Sequence, residues 1–330
     1  AFFLTASLLI IWRLEAMSAR GVEGTILGTL FMPYFSGLGN LLLVYLVLRD
    51  GGPGGEVMVN CVVNNATNIT LIVGLCALIW PLALGTAAPP KAAGPKANPK
   101  AAKSAAKSTR ARVPGKADAA DRLKRLSLMF TMLAMLFFCG MTWALAADGA
   151  LNRGDGLTLI GLFLFWQAFH VFEVLKENVR SGSSWHPLII VDIVVIFAAS
   201  GVLYFSVEWL VNWILAQEAS FFGPQKLGLL TGWLMVLPNA IVAFYYAWRR
   251  KADVVFASQF GDAHICIPLC VGLYAAFSPM AIPEGTATAL AFVAGACLVN
   301  LLNLAIASRL HRATAAILLL AYIAFLVLEA

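Results

Sequence analysis

Residues 35–74 read FSGLGNLLLVYLVLRDGGPGGEVMVNCVVNNATNITLIVG. Two apolar runs of helical length meet at a Pro-Gly turn, and each carries polar residues in its middle. In the first, Ser36, Gly37, Gly39 and Asn40 interrupt the apolar run. In the second, Asn60, Asn64, Asn65, Thr67, Asn68 and Thr70 crowd into eleven positions. Asn60, Asn64 and Asn68 are spaced i, i+4, i+8 and so share one helical face. Amides at membrane depth are costly unless they face protein, water or an ion. This helix pair is therefore the first candidate for a site.

The composition carries the same message. The chain is 61% hydrophobic and 12% charged, with a mean hydropathy of +0.83. A soluble domain is nearer half apolar and a quarter charged, so a polytopic membrane protein is expected. The net charge of +6 belongs to one segment. Eleven of the 23 Lys and Arg lie between Lys91 and Arg125, opposed only by Asp118 and Asp121. Without that segment the chain is slightly acidic, so nucleic acid is not an expected partner. The six cysteines sit inside apolar runs and suggest no disulfide framework. Cys266 and Cys270 are i, i+4 neighbours, for which packing is the expected role.

A membrane helix needs about 20 mostly apolar residues. Ten spans meet that rule: 1–17, 22–48, 56–82, 124–147, 156–178, 187–214, 226–248, 254–279, 284–307 and 312–329. Phe2–Trp12 is read as part of a span, because no small-residue cleavage site precedes Arg13. Residues 83–121 are rich in Ala, Lys, Pro and Gly and cannot bury apolar area. They are read as a solvated tether, for which anionic lipid or an acidic partner is the functional alternative over 83–125. Lys and Arg in the short loops set orientation. With the N-terminus outside, Arg13, Arg20, the 83–125 loop, Lys176, Arg180, Arg249–Lys251, Arg309 and Arg312 fall on the cytoplasmic side. The other side receives Arg49, Arg153 and Lys226.

The two halves resemble each other. Aligning Asn40 with Asn239 also sets Asn60 against Ser258, Asn64 against Asp262, Asn68 against Cys266 and Gly74 against Gly272, to within a residue. Each half has five spans, an odd number, so the repeats run oppositely through the membrane. The expected fold is all-α, with ten transmembrane helices in two inverted five-helix repeats, and a site at the midplane. The first repeat comprises 1–82 and 122–180, split by the 83–121 loop. The second comprises 181–330.

At these residues the chain resembles the calcium/cation antiporter superfamily, which includes the sodium/calcium exchangers. The family repeat reads roughly G-T-S-x-P-E, then after about twenty residues G-N-x-x-G-S-N-x-x-N-I. Here the matching stretches are residues 35–40 with 59–69, and 233–239 with 257–267. The resemblance implies a cation site built from both repeats. The family's two glutamates match Asn40 and Asn239. Its hydroxyls match Ser36 and Gly37 in one repeat, Met235 and Val236 in the other. Its third-span polar pair matches Asn64 and Asn68, and the eighth-span counterpart matches Asp262 and Cys266. The cation-binding candidates are thus Ser36, Asn40, Asn64, Asn68, Asn239 and Asp262, with the metal left open.

One carboxylate stands where the family places more. Calcium wants six to eight oxygens, and its affinity tracks ligand charge. One Asp leaves a dication uncompensated in low dielectric, whereas a proton or a monovalent cation is neutralised by it. Asn40, Asn64 and Asn239 are the expected hydrogen-bond partners of Asp262. The expected function is exchanger-like cation antiport with a weakened calcium site, in a lipid bilayer and without cofactor. The alternative is a transport-inactive subunit serving as scaffold among partner membrane subunits. No nucleophile constellation, phosphate loop or zinc pattern marks an enzyme. Asp192 is expected at a vestibule or paired. His170 and Glu173 suggest an interface, and Pro33, Pro238 and Pro268 mark kinks.

Overall fold

The computed structural model describes residues 2–19, 34, 37–84, 116–178, 188–217 and 226–329. Ser36, Pro33 and most of the basic loop lie outside them. The described residues form ten helices: α1 (Phe2–Ala19), α2 (Leu38–Arg49), α3 (Gly54–Ile79), α4 (Lys116–Leu145), α5 (Arg153–Asn178), α6 (Leu188–Leu215), α7 (Leu227–Trp248), α8 (Ala252–Phe277), α9 (Thr286–Ala307) and α10 (Arg312–Glu329). Each expected apolar stretch overlaps one of them. Six (α3, α4, α6, α7, α8 and α9) carry segments long and apolar enough to cross a membrane on their own. Exposed Phe165, Phe197, Phe205 and Ile306 give the outside of the bundle an apolar surface suited to lipid.

One boundary differs from expectation. Residues 116–121 are expected in the loop, yet α4 begins at Lys116. The segment KADAADRLKR is rich in Ala, Lys and Arg, which are good helix formers. It extends the apolar helix beyond its greasy part instead of ending it.

Burial separates centre from rim. The apolar windows of α3 and α8 are 78% buried and that of α7 67%, against 28% for α6. Close helix approach requires small residues. A Cβ at Gly228 would lie 2.4 Å from the Glu56 carbonyl oxygen, and one at Gly232 only 2.9 Å from Val63 Cβ. Both glycines therefore let α7 press its backbone against α3. Gly156 and Gly272 do the same where α5 crosses α8. The α2–α3 turn closes on Gly51 with φ +66°, a left-handed position that suits glycine.

Both central helices change winding midway. Thr67–Ile72 in α3 and Ile265–Cys270 in α8 are π-helical, 198 residues apart. In α8 the turn also breaks: Ile267 is extended (φ −126°, ψ 111°) ahead of Pro268, as sterics before proline favour. Four two-residue strands join the helix ends. β1 (Leu82–Ala83) pairs antiparallel with β4 (Arg309–Leu310), and β2 (Ala150–Leu151) with β3 (Met280–Ala281). β1 directly follows α3, and β3 directly follows α8, again 198 residues later.

The bundle has two chemically distinct ends. At one, Lys124 pairs with Asp253 at 3.4 Å, Arg125 donates to Ser308 Oγ and the Ala305 carbonyl, and β1 meets β4. At the other, Arg49 bridges Asp50 and Glu208, Tyr274 donates to the Gly52 carbonyl, and β2 meets β3.

Candidate cation-binding site

Asp262 sits in α8 one turn before the π segment, with a fully buried side chain. Asn64 and Asn68 approach it from α3, equally buried. Asn68 Nδ2 donates to Asp262 Oδ2 at 2.8 Å and to Asn64 Oδ1 at 2.9 Å. The expected constellation is corrected here. The described donor to Asp262 is Asn68, and Asn64 joins through Asn68 rather than directly. The i, i+4 spacing on one helical face explains the chain of amides.

Asn40 and Asn239 are also buried, at 1% and 2% exposure. Gly39 packs on Met235, bringing the Asn40 turn of α2 against α7. Neither atom of the Asn40 amide has a hydrogen-bond partner, nor does Asn239 Nδ2, Asn64 Nδ2, Asn68 Oδ1 or Gln259 Oε1. A buried unsatisfied polar group costs about 1–3 kcal/mol. Several in one region favour a polar ligand or water between these helices. Asp262 is the single carboxylate among the described site residues, and the rest are neutral amides. Among the described residues, no group of three or more His, Cys, Asp and Glu forms a metal-ligand set.

Other polar groups hold the frame. Asn60 Nδ2 donates to Thr231 Oγ1 at 3.0 Å, linking α3 to α7. Asn65 Nδ2 donates to the Ala263 carbonyl at 3.2 Å, linking α3 to α8. Asn65 and Asn68 are thus wholly interior. Gln259 Nε2 donates to the Asn239 carbonyl, and Asn300 Nδ2 to the Ile69 carbonyl inside the π turn. Tyr322 of α10 joins Thr67 and Trp233, each at 2.9 Å. Gln259, Asn300 and Tyr322 were not singled out from sequence. Gln259 and Asn300 are polar residues in apolar runs, which was the available signal.

Other polar side chains fall elsewhere. Asp192 pairs with Arg13 of α1 at 3.4 Å, so it is a helix tie. His264 lies against the Thr131 carbonyl at 2.9 Å and edge-on to Phe138 and Trp166, facing α4 and α5. His170 and Glu173 lie on α5, with side chains outside the described set.

The chain matches a family model described as sodium/calcium exchanger protein over residues 1–172 and 191–329. No curated protein matches it. Among solved structures, the sodium-calcium exchanger NCX_Mj soaked with 100 mM Na+ and 10 mM Sr2+ is 17% identical, with a TM-score of 0.68 over 99% of this chain and 94% of that one. The same exchanger soaked with zero Na+ and Ca2+ gives 16% identity and a TM-score of 0.65, over 100% and 95% of the two chains. At such identity the likeness speaks for the fold. Taken with a family match over nearly the whole length, it shows that the chain belongs to the sodium/calcium exchanger family of membrane ion transporters.

Proposed function

We propose that this chain is a cation antiporter whose central site handles a proton or a monovalent cation and does not bind calcium tightly. The observation that carries the reading is Asp262, a buried carboxylate held by Asn68 across the α3–α8 contact. Amides stand at the other site positions. Neutral amide oxygens can coordinate an ion, but they bring no charge to offset a dication. A proton or a monovalent cation matches the single charge of Asp262. The two π turns and the strands β1 and β3 that follow them, each repeating after 198 residues, support ten spanning helices in two inverted halves. That design places the site where the halves meet. The charge of the loops supports an outside N-terminus and a cytoplasmic 83–125 loop, available to anionic lipid or an acidic partner.

Flux into proteoliposomes tests the reading. Purified protein should exchange protons or a monovalent cation, and Asp262→Asn should reduce that flux to background while leaving the fold intact. Micromolar-affinity calcium uptake that persists in Asp262→Asn would overturn it. A folded protein with no flux of any cation, co-purifying with other membrane chains, would instead favour the transport-inactive subunit. The neutral Asn40 and Asn239 are the observation on that side.

A further inference from the structure

Gln259 of α8 is fully buried and lies three residues before Asp262. Residues three apart share a helical face, so Gln259 stands one turn from the carboxylate on the same side of α8. Its amide is held at the nitrogen. Gln259 Nε2 donates to the Asn239 carbonyl at 3.3 Å and to Ser258 Oγ at 3.0 Å. Ser258 Oγ in turn donates to the Val255 carbonyl at 3.0 Å, which leaves its lone pairs to accept. A carbonyl can only accept, so the Asn239 contact fixes which end of the amide is nitrogen. The other end is oxygen, and Gln259 Oε1 has no hydrogen-bond partner within the protein. Asn68 repeats the pattern from α3. Its Nδ2 gives to Asp262 Oδ2 and to Asn64 Oδ1, while its Oδ1 has no partner. Two amide oxygens of fixed orientation thus belong to residues tied to Asp262, one by a hydrogen bond and one by a helical turn. Both are acceptors, as an ionised carboxylate is. A proton on Asp262 satisfies one acceptor, whereas a hard cation takes several oxygens at once.

We propose that Gln259 is a ligand of the monovalent cation, its Oε1 joining Asp262 and Asn68 Oδ1 in the donor set. The inference rests on the reading above that the Asp262 site takes such a cation. Gln259 is neutral, so it adds an oxygen without adding charge, and the site stays matched to one positive charge. Register makes this donor a property of one half alone. Gln259 stands 198 residues after Cys61, the interval that relates the two π turns. Cys61 is equally buried, but it offers a soft sulfur where α8 offers an amide. A purely structural role would rest on Nε2, which ties α8 to α7. The ligand role rests on Oε1, and substitution separates the two.

The test is a thermal shift on the purified full chain in detergent, titrating sodium or potassium chloride against choline chloride at constant ionic strength. Gln259→Met removes both amide atoms from a side chain of similar length. Gln259→Glu keeps an oxygen and loses the amide donor. One of the two ions should stabilise the wild type. Gln259→Met should raise its half-saturating concentration about tenfold or more, while Gln259→Glu should bind at least as tightly as the wild type, since affinity follows ligand charge. Equal weakening in both variants would leave Gln259 a helix tie and overturn the ligand role, as would unchanged binding in Gln259→Met. Should Gln259→Met fold poorly, Gln259→Glu decides, because weakened binding there overturns the role of the oxygen. Asp262→Asn separates this inference from the one beneath it. A response lost in Asp262→Asn but kept in Gln259→Met removes Gln259 alone. A wild type stabilised by neither ion overturns the ligand role. Proton flux in proteoliposomes would then keep the reading above, and its absence would remove both.

Discussion

Asn40 and Asn239 are the residues that the motif resemblance sets against the exchanger family's glutamates, and charge is the physical difference. Both side chains are buried, and neither amide is fully satisfied by the protein. On the reading proposed above, replacing both with glutamate supplies two further buried carboxylates to the site of Asp262. Without a cation, three like charges in low dielectric repel, so Asn40→Glu with Asn239→Glu should lower the melting temperature in calcium-free buffer. A ligand at one hundred times its dissociation constant stabilises by about 2.7 kcal/mol. Millimolar calcium should therefore restore the double variant and leave the wild type unmoved. A thermal shift assay in detergent checks this, and a calcium response in the wild type would count against the weakened site. The Asn64–Asn68–Asp262 hydrogen-bond chain was partly legible at this scale. Asp262, Asn64 and Asn68 were marked by being polar in apolar runs, and the structure brings them within hydrogen-bonding distance. Which amide would touch Asp262 was not legible. Spacing along α3 puts Asn64 and Asn68 on one face, but the rotation of α3 against α8 depends on packing with the rest of the bundle.

Between elements, the α3–α7 contact is set by backbone approach rather than by side-chain bulk. Gly232→Ala would push a methyl against Val63 Cβ at 2.9 Å and the Asn60 carbonyl oxygen at 3.0 Å. Neither is the end of a flexible chain, so the helices must separate. Overpacking of this kind costs about 1–3 kcal/mol. The same shift would stretch the Asn60–Thr231 hydrogen bond, so the melting temperature should fall measurably. Gly39→Ala clashes only with the flexible end of Met235, with Phe3 at an ordinary contact distance of 3.5 Å, and should be tolerated better. The α2–α6 tie behaves differently because it is exposed. Arg49 donates to Asp50 and to Glu208 at 2.6–2.7 Å. Hydrogen bonding from Arg49 holds Asp50 below its ordinary pKa of 3.8. A depressed carboxylate contributes stability that is complete above the unfolded value and is lost as pH falls through the folded one. The small stability gap between wild type and Asp50→Asn should be flat above about pH 5 and close under stronger acid. Added salt should narrow it at neutral pH. The helices themselves were legible because length and apolarity are local properties. The π turn of α3 was not, since no proline marks it, whereas Pro268 flagged the break in α8. The apolar span from residue 124 was legible, but not the polar turns of α4 that precede it, because Ala and Lys suit both a tether and a helix.

For the whole molecule, the two ends of the bundle turn a charge count into a geometric expectation. Arg125, Arg249, Lys251 and Arg309 belong to one end, which the Lys124–Asp253 and Arg125–Ser308 contacts and the β1–β4 pair hold together. Arg49, Arg153 and Lys226 belong to the opposite end, with the β2–β3 pair. The chain joins the first end at Ala83 and leaves for α4 at Lys116, so both ends of the basic loop are anchored there. Lys and Arg are retained on the cytoplasmic side during insertion. The first end should therefore face the cytoplasm, and the start of α1, which runs toward its Arg13–Asp192 contact, should lie outside. The check is a protease added to the outside of sealed, right-side-out vesicles. Trypsin should spare the 83–125 loop until the membrane is opened, and should then cut within it before reaching the Arg249–Lys251 turn, because a long polar tether offers more accessible backbone than a short one. A tag placed before Phe2 should be removed from outside in the same vesicles. Cleavage of the loop with the membrane still sealed would invert the orientation, and with it the direction in which a cation leaving Asp262 meets each side.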